Sequence, residues 1–353
     1  MKRKNKVILK TVFLLSLVII GFIIVKGIFS PTSINHKRWI DFYKIPDETL
    51  DIVFIGSSHG DCAFIPMVFN DELSIDSYVS TASAATIEQT YFTLREVLKN
   101  QSPKIVILET FTLNEMEKSW THHSFDGMKP SKNKIEAIKY NDPKSKMQNY
   151  IFPTIDYHAR WKNIFGKESI TFNPYYLKSD ENPYFGYSLG KTVEEENKYL
   201  EFAPPNEITD KIIILPDERM KMLDNITILC RENDITLIYV SAPYMHQGEF
   251  TYVEMYETLR GLEPYAEQND IEIINFNMLN EETGIKSTDF VNVGHMNMLG
   301  AYRISMYLVN HLKANYSEAL SDTKTDMNKE QDEKYKAFLE EYAVFEKYVE
   351  DNY

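Results

Sequence analysis

The segment Asp51-Ile-Val-Phe-Ile-Gly-Ser-Ser-His59 decides the fold. A compact apolar run that ends abruptly in small residues reads as a buried strand, residues 51–55, feeding a tight turn. Working outward, residues 65–73 read as a helix and 75–80 as a second strand, followed by Ser80-Thr-Ala-Ser-Ala-Ala-Thr86. Thr86 suits an N-cap, and Ile87, Tyr91, Leu94, Val97 and Leu98 recur at helical spacing behind it. Pro103 stops that helix, and Lys104-Ile-Val-Ile-Leu-Glu109 is a third strand. Strands alternating with helices through short links predict a three-layer α/β fold, a parallel sheet covered on both faces.

The rhythm breaks at Thr112 and resumes near Pro216. The stretch between is too long for a plain loop and too aromatic for disorder, so residues 112–214 are expected to form an inserted lid or sub-domain. Beyond it, residues 216–233 read as helix, 235–240 as strand, 251–268 as helix, 271–276 as a fifth strand and 296–314 as the closing helix. The α/β body thus comes in two parts, 31–111 and 215–315, with 31–50 as a short connector. Residues 316–353 form a charged tail whose Tyr335, Phe338, Leu339, Tyr342, Phe345 and Tyr348 fall near helical spacing. That pattern is an amphipathic helix, either solvated or docked on the body or a partner.

Residues 1–30 carry the targeting signal. Lys2-Arg-Lys-Asn-Lys6 precedes an apolar run whose uncharged part, residues 11–25, is 15 long. Lys10 and Lys26 flank it and can snorkel, which extends the span to the ~20 residues a bilayer requires. The basic end predicts a cytoplasmic N-terminus with the body outside, held by a single-pass membrane anchor. A cleaved signal peptide is the alternative, but no Ala-x-Ala site follows. The net charge of −14 argues against a nucleic-acid binder. Cys62 and Cys230 sit in helical, partly apolar contexts and read as free thiols, and no spacing of His, Cys and Asp suggests a metal or other cofactor.

In a doubly wound sheet ligands bind beyond the carboxyl ends of the strands, where Gly56-Ser57-Ser58-His59 stands. Serine needs a base to become a nucleophile. His59 is adjacent, but neighbouring side chains on a turn diverge, so it reads as a pocket residue. His295, in Asp289-Phe-Val-Asn-Val-Gly-His295, precedes the closing helix on the same sheet edge as Ser58 and is the better base.

These features resemble the S-G-N-H (GDSL-type) hydrolase superfamily, a flavodoxin-like fold, and within it a membrane-anchored Gram-positive-type branch. That branch is distantly similar to the D-alanyl transfer proteins of teichoic acid modification. Gly56-Ser57-Ser58 stands for Gly-Asp-Ser and Asn292-Val-Gly-His295 for Asp-x-x-His; Phe152-Pro-Thr-Ile-Asp-Tyr-His-Ala-Arg-Trp161 resembles the branch's insertion. The resemblance implies an esterase or O-acyltransferase in which Ser58 attacks an acyl carbonyl, His295 moves the proton and the Ser58 N–H joins an oxyanion hole. It also implies a cell-wall or capsular polysaccharide or teichoic acid-type substrate and a membrane-bound O-acyltransferase as partner. Three departures matter. Asn292 replaces the acid, with Asp289 as a possible substitute; Ser83 or Ala84 stands where the oxyanion glycine belongs; and Glu109-Thr110 replaces the oxyanion asparagine. A catalytically silent scaffold that binds glycan or a membrane partner is therefore the competing reading. His158, Arg160 and Trp161 are candidates for a sugar site, or a packing cluster. The pair His122-His123 reads as surface.

Overall fold

The computed structural model describes residues 2–28, 34–114, 124–144, 184–199, 202, 211–245, 253–320 and 329–353. Helix α1 (Lys2–Ile28) is followed by α2 (Ile34–Phe42), β1 (Ile52–Gly56), α3 (Ser58–Ala63), α4 (Pro66–Leu73) and β2 (Ser77–Thr81). Next come α5 (Ile87–Val97), β3 (Ile105–Glu109), α6 (Lys132–Asn141), α7 (Asp217–Glu232), β4 (Thr236–Ser241), α8 (Val253–Gln268) and β5 (Glu272–Asn275). A short hairpin, β6 (Phe290–Asn292) and β7 (His295–Met296), leads into α9 (Met298–Asn315); α10 (Lys329–Asn352) ends the chain.

The five main strands pair in the order β2-β1-β3-β4-β5, every pair parallel. This is the flavodoxin-like winding, whose order reverses between β1 and β3. Strands β1, β2 and β3 are buried along their whole length, as expected of strands covered on both faces. Side chains alternate between two cores. Ile52, Phe54, Ile105, Ile107, Ile238 and Val240 enter the core closed by α4, α9 and α10. Val53, Ile55, Val106, Leu108, Leu237 and Tyr239 enter the other, closed by α2, α5, α6, α7 and α8.

Three expectations change. Residues 31–50 are not only a connector: α2 buries Asn35, Arg38, Trp39 and Phe42 against β2 and the core. The helix expected from residue 65 is preceded by the separate six-residue α3, which starts at Ser58 itself. The closing helix starts two residues later than expected because Asn297 caps it, its side chain accepting from Leu299 and Gly300 N–H.

The described parts of the 112–214 region pack directly on the body. Helix α6 lies on α5. Residues 184–199 form a strap that begins at the β2 edge, where Val79 N–H donates to Phe185 O at 3.0 Å. It then crosses α3, with Ser188 N–H donating to Asp61 O at 2.7 Å, and reaches α9, with Met298 N–H donating to Gly190 O at 2.9 Å. Helix α1 is long and apolar enough to cross a membrane and is exposed throughout its apolar window. Helix α10 is docked on the body: Tyr335, Phe338, Phe345 and Val349 are buried on one side while Val344 stands 73% exposed on the other. Ion pair Lys191–Glu341, 2.5 Å, ties it to the strap. Phe338→Ala is expected to destabilise the protein by about 3 kcal/mol and to expose the tail to protease, as read by urea unfolding and limited proteolysis. Val344→Asp should change neither.

Candidate active site

The site begins with a backbone constraint. Gly56 ends β1 at φ +135°, and a Cβ there would lie 2.9 Å from both Cβ and O of Glu109 on the neighbouring strand. Only glycine permits both this conformation and this approach. The chain can therefore turn immediately into α3, with Ser57 as N-cap, its Oγ accepting from His59 N–H at 3.3 Å. Ser57 is fully buried and also donates its hydroxyl to Glu109 Oε2 at 2.7 Å. It thus serves the turn and leaves the pocket surface to its neighbour. Ser58 is the first helical residue and partly exposed. Among the described residues none accepts its N–H, which stays available at the positive end of α3.

His295 reaches this serine from the far end of the chain: Ser58 Oγ lies 2.8 Å from His295 Nε2. The hairpin β6–β7 holds the imidazole, and Asn292 fixes its protonation. Asn292 Oδ1 accepts the backbone N–H groups of Gly294 and His295, both at 3.0 Å, so the amide oxygen must face inward. The same oxygen lies 3.0 Å from His295 Nδ1. An oxygen can only accept, so the proton sits on Nδ1 and the lone pair of Nε2 faces the serine hydroxyl. Gly294 keeps this hairpin close, since a Cβ would stand 2.7 Å from His59 Nε2.

The other predicted residues fall as follows. Asp289 does not take the third place: its Oδ2 is 3.1 Å from Arg303 Nε and accepts Lys286 N–H at 2.9 Å. Asn292 already occupies the position beside Nδ1. His59 is buried, its ring edge-on to Phe111 with centroids 3.6 Å apart and 4.9 Å from the His295 ring, so it packs beside His295. Ser83 and Ala84 lie in the loop after β2; Ser83 N–H is taken by Asn35 Oδ1 at 3.3 Å, and Ala84 adopts a left-handed φ of +52°. His122, His123, His158, Arg160 and Trp161 lie outside the described residues. Cys62 and Cys230 are free. Among the described residues no group of three or more His, Cys, Asp or Glu side chains could hold a metal ion.

Two charged residues of the site went unread in the sequence. Asp61, one turn after Ser58 on α3, forms a 2.7 Å ion pair with Arg38 of α2, both nearly fully buried. Arg38 also donates to Gly186 O at 2.8 Å, Ser188 Oγ at 2.7 Å and Asn35 Oδ1 at 3.1 Å, so one guanidinium joins α2, α3 and the strap. Asp61 sits at the helical i+3 position from Ser58, but nothing in the local sequence around residue 38 signals its partner.

Burial lowers the pKa of His295, partly opposed by the negative charge of Asp61, so the imidazole is neutral and able to accept a proton at neutral pH. Burial, and secondarily the nearby His295, pushes His59 well below its ordinary value. Glu109 moves the other way, raised to about 7 by burial, against hydrogen bonds from Phe111 N–H and Ser57.

No family model matches the chain, and no curated protein matches it. Among solved structures, a GDSL-like lipase from Bacteroides thetaiotaomicron aligns with 80% of this chain and 98% of its own at 12% identity, TM-score 0.37. An acetyl xylan esterase from the rumen bacterium Butyrivibrio proteoclasticus aligns with 77% of this chain and 65% of its own at 10% identity, TM-score 0.31. Both overlays are loose, and the fold rests on the strand order itself.

Glu109 yields a stability prediction. Its folded pKa lies above the ordinary value of 4.5, so the native state holds the proton more tightly and the protein loses stability as pH rises from about 4.5 through about 7. The loss is roughly 3 kcal/mol. Glu109→Gln mimics the protonated acid. Its unfolding midpoint in urea should stay nearly flat across that window while the parent's falls.

Proposed function

We propose that the chain is a serine esterase or O-acyltransferase that works through an acyl-Ser58 intermediate. The observation that carries this is the contact of Ser58 Oγ with His295 Nε2 at 2.8 Å, with the Nδ1 proton directed to Asn292. Ser58 Oγ attacks the acyl carbonyl while Nε2 takes its proton; the carbonyl oxygen becomes an oxyanion beside the Ser58 N–H at the start of α3. The tetrahedral intermediate collapses, the C–O bond to the leaving alcohol breaks, and imidazolium returns the proton to that oxygen. Water or an acceptor hydroxyl then attacks the acyl-serine, with His295 again as base. Hydrolysis and transfer differ only in that last nucleophile.

Asn292 affects rate more than geometry. An amide in place of the usual carboxylate can cost about 10⁴ when it selects the wrong tautomer. Here two backbone donors hold its oxygen toward Nδ1, so the productive tautomer is kept and only the carboxylate's charge is missing.

With α1 read as a membrane anchor and its basic end inside, the body would work outside the cytoplasm on a cell-surface glycopolymer. The acyl donor would come from a membrane-bound O-acyltransferase. A silent glycan- or partner-binding scaffold is the second reading. It is favoured by Glu109, which stands at the end of β3 as an acceptor of hydrogen bonds from Ser57 and Phe111 N–H and so presents no donor to an oxyanion.

A fluorophosphonate probe on the intact protein separates the two. Covalent labelling is expected and should vanish in Ser58→Ala. Its rate should rise with pH to a plateau, with the half-rise below 6.5 because His295 is held below that value. Equal labelling of the alanine variant, or none of the parent, would remove the acyl-enzyme reading.

A further inference from the structure

A base that becomes imidazolium during reaction needs negative charge nearby, and the neutral amide at position 292 supplies none. We propose that Asp61, oriented by Arg38, is the positioning residue that stabilises the charged form of His295 from the nucleophile's own helix. The inference rests on the acyl-enzyme reading above.

The geometry supports it on three counts. Ser58 and Asp61 are three apart on α3, so their side chains leave the same face of the helix. Helix α3 packs on β7, which carries His295, and Ser58 Oγ touches the imidazole there. Asp61 is also held immobile: Oδ2 meets Arg38 at 2.7 Å, Cys62 Sγ donates to Oδ1 at 3.2 Å, and the strap's Ser188 N–H donates to its carbonyl at 2.7 Å. A buried carboxylate with no role beyond holding a helix would be an expensive anchor, because a buried ion pair contributes little net stability over an apolar pair.

The groups facing Asp61 are Arg38, Cys62, Tyr187 and Glu109; those facing His295 are Ser58, Asn292, His59 and Asp61. His59, held well below its ordinary value, is neutral, and among the described residues the negative charge that acts on His295 is Asp61. Burial and Asp61 pull the base in opposite directions, which places its proton affinity between those of a wholly buried and a carboxylate-paired imidazole.

The test is the pH profile of fluorophosphonate labelling on the full chain, with thermal unfolding measured on each variant. Asp61→Asn should lower the plateau rate on the order of tenfold and move the half-rise down by about one pH unit, because the base loses its counter-charge. Arg38→Gln should move the half-rise up, because Asp61 is then unshielded. Adding Asn292→Asp to Asp61→Asn should restore both rate and half-rise. Should a single substitution unfold the protein by leaving one charge unpaired, the double variant Arg38→Met/Asp61→Asn leaves none, and it should show the same lowered rate and half-rise. If unfolding temperatures fall while the half-rise stays put in every folded variant, Asp61 is an anchor only and the inference is overturned. Labelling that persists in Ser58→Ala would instead strike the acyl-enzyme reading, so the two failures are distinguishable.

Discussion

The site depends on one close approach: the backbone of Gly56 passing over the side chain of Glu109 between adjacent parallel strands. Any Cβ at Gly56 would force β1 and β3 apart at their carboxyl ends, and φ +135° is open to glycine alone. Because the chain passes there, Ser57 falls onto the Glu109 carboxylate and becomes the cap of α3. Ser58 is then left as the first residue with a solvent-facing hydroxyl. The carboxylate meanwhile sits near neutrality, poised by burial against its donors. A residue that looks in the sequence like a missing oxyanion asparagine is therefore the foundation of the turn that presents Ser58.

Strands β1 and β3 were the most legible because each is a short apolar run bounded by breakers and buried along its whole length, whereas β2, β4 and β5 carry polar residues such as Ser77, Thr236 and Glu272. Ser58 and His295 were legible together because each stands at or just before the start of a helix at a matched end of the α/β pattern, and the fold brings the two side chains into contact. Helix α2 was not, because its nine residues mix Asn35, His36 and Arg38 with Trp39 and Phe42; Asn35 and Arg38 are buried against Ser83, Gly186 and Ser188, which lie far along the chain. The same blindness hid the Arg38–Asp61 pair. Asp289 and Asn292 could not be separated by spacing; the choice fell to two backbone N–H groups of the β6–β7 hairpin and to Arg303.

Asn292 shows how geometry and charge can be divided between residues. One amide oxygen accepting three donors sets the tautomer of His295, a task usually combined with electrostatic stabilisation in a single carboxylate. Separating the two leaves the imidazole aligned but without a carboxylate at Nδ1, and burial then lowers its proton affinity.

The strap of residues 184–199 has a temporal consequence. Ser58 and its base are 237 positions apart, and the strap that joins α3 to the start of α9 is made between them. A ribosome delivers Ser58 long before it delivers His295, so the two meet late in synthesis. The Ser58–His295 contact therefore forms only once the segment around residue 295 has been made and has closed over the sheet with the strap.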